Sequence, residues 1–204
     1  MGQLFNPFSL HRSLEIMIMT TSTNERNFVP DTGDRLPVGP STHSRGGYIR
    51  FGRYGSGEIA LKVVDEEGDT QYVATASLVP QGGPYPGEYA VWLKGWSENE
   101  GVPKALADAG IVTLTGRRNL AGFAEAEHAE LTERARTALD AKREGLTAAA
   151  HREVDELLKL GMIPEHRAEQ LKRLLITEAI EDHDQDGMSI REIVDMYRDV
   201  IEPT

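Results

Sequence analysis

The feature that most constrains this chain is a change of hydrophobic pattern across Gly87 to Gly116, with sheet-like runs before it and mostly helical spacing after it. Between Tyr48 and Leu131, short apolar runs such as Ile59 to Val64 and Tyr89 to Leu93 are separated by Gly, Pro, Asp and Ser. From Thr132 onward, apolar residues recur at three- to four-residue intervals. The first pattern belongs to half-buried strands, the second to amphipathic helices. Strands followed by helices define an α+β chain, here a small antiparallel sheet with one short helix and then a C-terminal helical segment. Three divisions are expected: a disordered N-terminal tail over 1–46, a sheet module from residue 47, and a helical region that runs to residue 204.

The tail is expected because Thr20 to Gly47 is rich in Thr, Ser, Pro, Gly and Asn and holds no period, so it buries too little surface to offset its chain entropy. Met1 and Met19 are both candidate start codons. Order is expected from Tyr48. YIRFGRY and IALKVV read as strands, Asp65 to Asp69 as a hairpin turn that uses Gly68, and Tyr72 to Val79 as the next strand. The Pro- and Gly-rich PQGGPYPGE that follows suits no regular element and reads as an ordered loop or flap.

Composition narrows the function classes. The chain has no cysteine, which excludes disulfides and thiolate zinc sites, and no apolar run approaches the ~20 residues needed to span a bilayer. A cytoplasmic protein without membrane contact is expected. The formal charge of −11 opposes nucleic-acid binding, which depends on Lys and Arg displacing counterions from phosphates. The acidity is concentrated: the last 27 residues contain nine acids and two bases, a net −7.

Between these blocks lies Gly87 to Gly116, read as strand, polar turn, short helix, glycine stop and strand. Ser97 and Glu100 have capping-box spacing, although Pro103 points to a helix start nearer Gly101 or Val102; Val102, Leu106 and Ala109 recur at helical spacing, and Gly110 ends the helix. Trp96, Glu98, Asn99 and Glu100 form a candidate recognition turn, with Trp96 also suited to anchoring the helix to the sheet. The run GWSENEGVPKALADAGIV, followed by TGRRNLAGFAEAEHAEL, resembles a family of small uncharacterised proteins of phage, prophage and plasmid gene sets. The resemblance rests on Trp96-Ser97-Glu98-Asn99-Glu100-Gly101, Ala109-Gly110-Ile111, Thr115-Gly116-Arg117 and Gly122-Phe123 with Glu125. It covers about residues 48–131. It implies a fold and a mobile-element context, with no activity attached. It also implies that Phe123 to Leu131, a good helix former by propensity, is a final strand, which sets the sheet module at 47–131 and the helical region at 132–204.

In the helical region, Ala135, Leu139, Leu146, Val154, Leu157, Leu158 and Leu160 form a thin stripe with Gly145 as a weak point. Pro164 opens a second helix carrying Leu171, Leu174, Leu175, Ala179 and Ile180, and a third carries Ile190, Ile193, Val194, Tyr197 and Ile201. Packing of these helices on each other or on a second copy is expected.

Asp182-His183-Asp184-Gln185-Asp186-Gly187-Met188 and Glu192 lie between the last two helices. Acids at alternate positions before a glycine resemble an EF-hand loop, in which side chains converge on Ca²⁺ while glycine permits the turn. The candidate ligands are Asp182, Asp184, Asp186, Met188 (through the loop's apolar position) and Glu192. An EF-hand loop ends on a bidentate Glu at its twelfth residue, whereas Glu192 falls one residue early. The competing reading is a turn at Asp186-Gly187 and a capping box between Ser189 and Glu192.

Other chemistry finds no support. The six histidines contain no HExxH pair, and His128, His151 and His166 read as surface residues. There is no phosphate-cradling loop and no nucleophile elbow. The function expected is a non-enzymatic accessory protein of a bacterial mobile element, with a Ca²⁺ site in its C-terminal helix–loop–helix. The alternative is an acidic, DNA-mimic-like inhibitor of a protein partner without metal. Expected partners are an unidentified protein and, through the C-terminal helices, a second copy.

Overall fold

The computed structural model, described for residues 36–42, 44–175 and 190–198, is α+β. Four strands, β1 (Pro37–Val38), β2 (Gly47–Arg53), β3 (Ile59–Val64) and β4 (Thr70–Val73), form one antiparallel sheet in the order β1-β2-β3-β4. A second antiparallel sheet contains β5 (Thr75–Ala76), β6 (Ala90–Leu93), β7 (Val112–Ala121) and β8 (Ala124–Leu131) in the order β5-β6-β8-β7.

Ala74 is the joint between the sheets. Its N–H donates to the Leu61 carbonyl of β3 at 2.8 Å, and its carbonyl accepts from Lys94 N at 2.8 Å. One run of chain therefore leaves the first sheet as β4 and enters the second as β5, a common way to turn a corner between sheets. The expected Tyr72 to Val79 strand is thus split and ends at Ala76, and Val79–Gln81 forms a 3-10 turn. Pro80 in that turn has no N–H to extend a ladder.

The corner gives the sheets facing sides. Ile49, Phe51, Leu61, Val63, Val91 and Leu93 pack there in one cluster. Helix α1 (Val102–Asp108) adds Val102 and Leu106, both fully buried. Helix α2 (Glu133–Lys159) adds Ala135 and Leu139 from its first turns. Thr132 caps α2 by accepting from Ala135 N, where the strand-to-helix change was expected. Polar contacts fix its first half to the sheets: Lys142 Nζ donates to the Phe51 carbonyl at 2.5 Å, and Tyr89 Oη donates to Asp140 at 3.2 Å. The Arg136 guanidinium lies 5.4 Å from the Tyr89 ring centroid.

The 27 residues of α2 run unbroken through Gly145, a length of about 40 Å at ~1.5 Å per residue. Its second half belongs to a separate core. Leu146, Ala150, Val154 and Leu157 pack with Ala168 and Leu171 of α3 (Glu165–Leu174) and with Ile190, Ile193 and Val194 of α4 (Ile190–Arg198). Arg191 pairs with Glu153, and Lys172 with Asp155 at 2.6 Å, tying α4 and α3 to α2. Leu160, expected on the buried stripe, is 63% exposed just past the helix end. Ala179, Ile180 and Ile201 lie outside the described residues.

Two expectations at the start of the sheet module need correction. Order does not begin at Tyr48: Leu36 and Val38 are buried, and β1 pairs with β2 through Pro37↔Tyr48 and Val38↔Gly47. The two apolar side chains complete the first sheet's inner face, which a composition-based reading of a polar segment overlooks. Nor does Ser97 form a capping box: α1 begins at Val102, the start to which Pro103 pointed. Ser97 sits in a 3-10 turn, Ser97–Asn99, with φ +53°, and Gly101 at φ +80° takes the cap position. The last strand is borne out, since β8 spans Ala124–Leu131.

Candidate functional site

The outer face of the second sheet is closed by the Pro- and Gly-rich segment between β5 and β6. Trp92, 2% exposed, packs there with Leu78 and Ala126. The segment is an ordered strap held from beneath by two rings. Trp92 Nε1 donates to the Pro84 carbonyl at 3.0 Å, and His128 Nε2 lies 3.0 Å from the Pro86 carbonyl. A carbonyl can only accept, so Nε2 of His128 carries the proton of that bond. On its other side, Nδ1 lies 2.9 Å from the Thr115 hydroxyl. The Trp92 and His128 rings meet edge to face at 5.0 Å, and the Arg117 guanidinium lies 5.9 Å from the Trp92 ring centroid.

His128 is thus buried, not a surface residue as expected. His166 is exposed, and His151 is half-buried with a buried, unpartnered Nε2. The reason for His128 is register: Trp92↔His128 are paired neighbours on β6 and β8, so whichever face buries one buries the other.

At the open end of this face, a second polar cluster anchors the strap's beginning. Glu58, 1% exposed, accepts from Ser56 Oγ at 2.7 Å, from Ser77 Oγ, and from Leu78 N at 3.0 Å. Beside it, Tyr54 Oη donates to the Thr75 carbonyl at 2.9 Å, and Thr75 Oγ1 accepts from Leu61 N at 3.1 Å. Burial raises the Tyr54 pKa. The Thr75 hydroxyl opposes that shift, and the Glu58 carboxylate adds to it.

These groups floor a shallow cleft of about 290 Å³ lined by Tyr54, Ser77, Gln81, Lys94, Trp96 and Gly122, with small Ala side chains between. That lies just below the ~300–1,000 Å³ of small-molecule sites. Its size suits one inserted side chain better than a cofactor.

The candidate recognition turn divides at this cleft. Trp96 is half-buried on the outer-face cluster and walls the cleft; Glu98 and Glu100 are exposed. Asn99 is fully buried: Nδ2 donates to Glu98 at 3.2 Å, and Oδ1 has no partner. The turn therefore presents Trp96 on one side and two carboxylates on the other.

The remaining wall is the β7–β8 hairpin. Thr115-Gly116-Arg117 is a bulge: Leu114 pairs with Ala129 and Arg118 with Glu127, leaving three residues opposite His128. Gly116 takes φ +73° there, and Thr115 Oγ1 bridges to the His128 ring and carbonyl. Beyond the bulge the hairpin continues to a two-residue loop between paired Ala121 and Ala124. Gly122 at φ +65° precedes Phe123, which has no positive φ, as in a type II′ turn. Phe123 is completely exposed, at 111% of its reference surface, and Leu120 is 67% exposed.

Of the candidate calcium ligands, Asp182, Asp184, Asp186 and Met188 lie outside the described residues. Glu192 is exposed in the first turn of α4. Among the described residues, no three His, Asp or Glu side chains are grouped to hold a metal, and no helix is long and apolar enough to cross a membrane.

Sequence reading missed Glu58, His128 and Phe123. Alternation along Ala124 to Leu131, taken with Trp92, is the signal that could have found His128. Comparison of the chain with protein-family models, curated proteins and solved structures gave no match.

Proposed function

We propose that the chain is a non-enzymatic accessory protein of a bacterial mobile element that acts by binding protein at the hairpin end of its second sheet. One observation carries the reading: Phe123, an aromatic residue with its whole surface in water, stands beside an unfilled cleft walled by Trp96. An exposed aromatic next to a concave apolar wall is the anatomy of an interface hot spot. The polar groups nearby hold backbone. Glu58 receives Leu78 N, Tyr54 and Thr75 bind each other and β3, and His128 holds Pro86. The mobile-element context rests on the resemblance of residues 48–131.

The test is a photo-crosslinking amino acid at position 123 of the full chain, introduced in a bacterial host. A protein adduct at that position, absent when the same group replaces exposed Tyr85, supports the reading; no adduct at 123 removes it.

A second reading concerns the C-terminus. The acidic segment 176–189 connects α3 and α4, and both helices pack into one core with α2. A cation gathered by Asp182, Asp184, Asp186 and Glu192 would relieve the mutual repulsion of these carboxylates and act on that packing. Calorimetric titration of Ca²⁺ into the wild type and Asp184→Ala tests it. Heat and a raised melting temperature that vanish in the variant support the site. No heat and no shift at millimolar Ca²⁺ removes it.

A further inference from the structure

We infer that the partner at the hairpin end is a second copy of this chain, each copy placing Phe123 in the Trp96 cleft of the other about a two-fold axis. This rests on the reading of that end as a protein-contact surface.

The first argument is adjacency. Gly122 lines the cleft, and Phe123 is the next residue. In an isologous contact the same patch serves both copies, so a plug and its socket must lie close together beside the axis. Phe123 cannot fill its own cleft: the turn leaves it 111% exposed. A neighbouring copy rotated by half a turn brings its phenyl over the open wall of Trp96 and Tyr54. There the Lys94 ammonium, which lines the cleft, can meet the ring face.

Charge supplies the second argument. The chain carries −11 overall, yet residues 111–128 contain two arginines (Arg117, Arg118) and two glutamates (Glu125, Glu127). Most of the chain's charge, −7, lies in the last 27 residues, so two copies meeting at this balanced hairpin add no repulsion of their own there. The signs are also arranged for self-recognition. Arg118 on β7 faces Glu125 on β8 at 3.4 Å, so two hairpins crossing about a two-fold axis set arginine against glutamate in both directions. A cationic partner would instead be drawn to the acidic last 27 residues.

Pairing along the β7 edge is the competing route to self-association, and the strand opposes it. The bulge at Thr115 to Arg117 interrupts the ladder, and two exposed arginines follow each other on the edge, both devices that discourage strand addition. The contact is therefore confined to the tip. Burying Phe123 and Leu120 with the cleft rim falls short of the ~1,200 Å² of stable interfaces, so the dimer is weak and dependent on concentration.

Sedimentation velocity of the full chain, from micromolar to millimolar concentration, reads this directly. Wild type should pass from monomer to dimer, more readily at high salt because screening relieves the overall repulsion. Phe123→Glu should stay monomeric throughout, with unchanged circular dichroism because the side chain touches nothing within its own chain. Leu160→Ser, in the helical region, should dimerise as wild type does. A wild type that is monomeric at millimolar concentration overturns the inference, as does a dimer that survives Phe123→Glu. If the crosslinker at 123 labels only a different protein, the second copy is excluded while the contact reading stands. If it labels none, both fall.

Discussion

His128 Nε2 donates to the carbonyl of Pro86 at 3.0 Å, joining the central strand of the second sheet to a strap 42 residues earlier. Together with the Trp92 bond to Pro84, it explains how a Pro- and Gly-rich segment that forms no strand and only a short 3-10 turn at its start becomes ordered. His128→Ala should lower stability by about 1–3 kcal/mol, the usual cost of leaving a buried acceptor unpaired. Hydrogen exchange at Tyr85, Gly87 and Glu88 should accelerate well beyond that of β6. Unchanged strap exchange would show that Trp92 alone holds the segment.

The strap's other end depends on Glu58. Glu58→Ala removes the acceptor of Leu78 N and should cost about 2–4 kcal/mol in urea unfolding, since the bonds lost are buried and charge-assisted. Glu58→Gln keeps an acceptor for Leu78 N, and the Ser56 and Ser77 hydroxyls can reorient, so it should cost less than half as much. Equal losses would mean that the negative charge itself, and not the acceptor, is what the cluster requires.

Tyr54 makes stability depend on alkaline pH. Its pKa is raised above the ordinary 10.0 chiefly by burial, so near pH 10 the unfolded chain releases this proton while the native chain keeps it. The unfolded state then binds fewer protons, and stability falls as pH rises from about 10 through the raised native value. Tyr89, also raised by burial and then by Asp140, acts in the same direction. In Tyr54→Phe the decline between pH 9 and 11 should flatten in part, as read by chemical denaturation at each pH. An unaltered slope would assign the whole effect to other tyrosines.

Two glycines with similar backbone angles should respond differently to alanine. At Gly122, φ +65°, an added methyl meets nothing, so Gly122→Ala should cost only the left-handed backbone strain of about 1–2 kcal/mol. At Gly101, φ +80°, the methyl would stand 3.2 Å from Thr42 Oγ1 as well, and the loss should be larger. Thermal unfolding of both variants decides it. The reverse order would mean that the 39–46 loop moves aside freely.

Ile193 tests whether α4 is integral to the helical core. It is fully buried against α2, and Ile193→Ala should destabilise that core by about 2–5 kcal/mol, with loss of amide protection in α4 before the sheets. Simultaneous loss everywhere would show that α2 couples the two cores into one cooperative unit.

What could be read in the chain itself was local. Short apolar runs marked β2, β3 and β6, the glycines and acids marked the hairpin at Asp65 to Asp69, and a three- to four-residue period marked α2. Those signals act between neighbours along the chain, so they survive without knowledge of the fold. The helix-forming AEAEHAEL was assigned as a strand only through resemblance to other proteins, because its propensity pointed the other way. Its strand form is imposed by β6 and β7 on either side, which outweigh an intrinsic preference of less than about 1 kcal/mol per residue.

The candidate site lies at the other extreme. Gly122 across the cleft from Trp96, Glu58 beneath Leu78, and His128 under Pro86 are juxtapositions of segments 20–42 residues apart. No local pattern encodes them. They follow from the corner at Ala74, which turns one strand from the first sheet into the second and leaves an outer face to be covered. Sequence alone determined most of the strands, turns and helices, β1 and β8 excepted, because backbone preference and hydrophobic period are short-range. Which side chains became buried anchors and which aromatic was left in water was decided only when the sheets met, because burial is a property of the assembled fold.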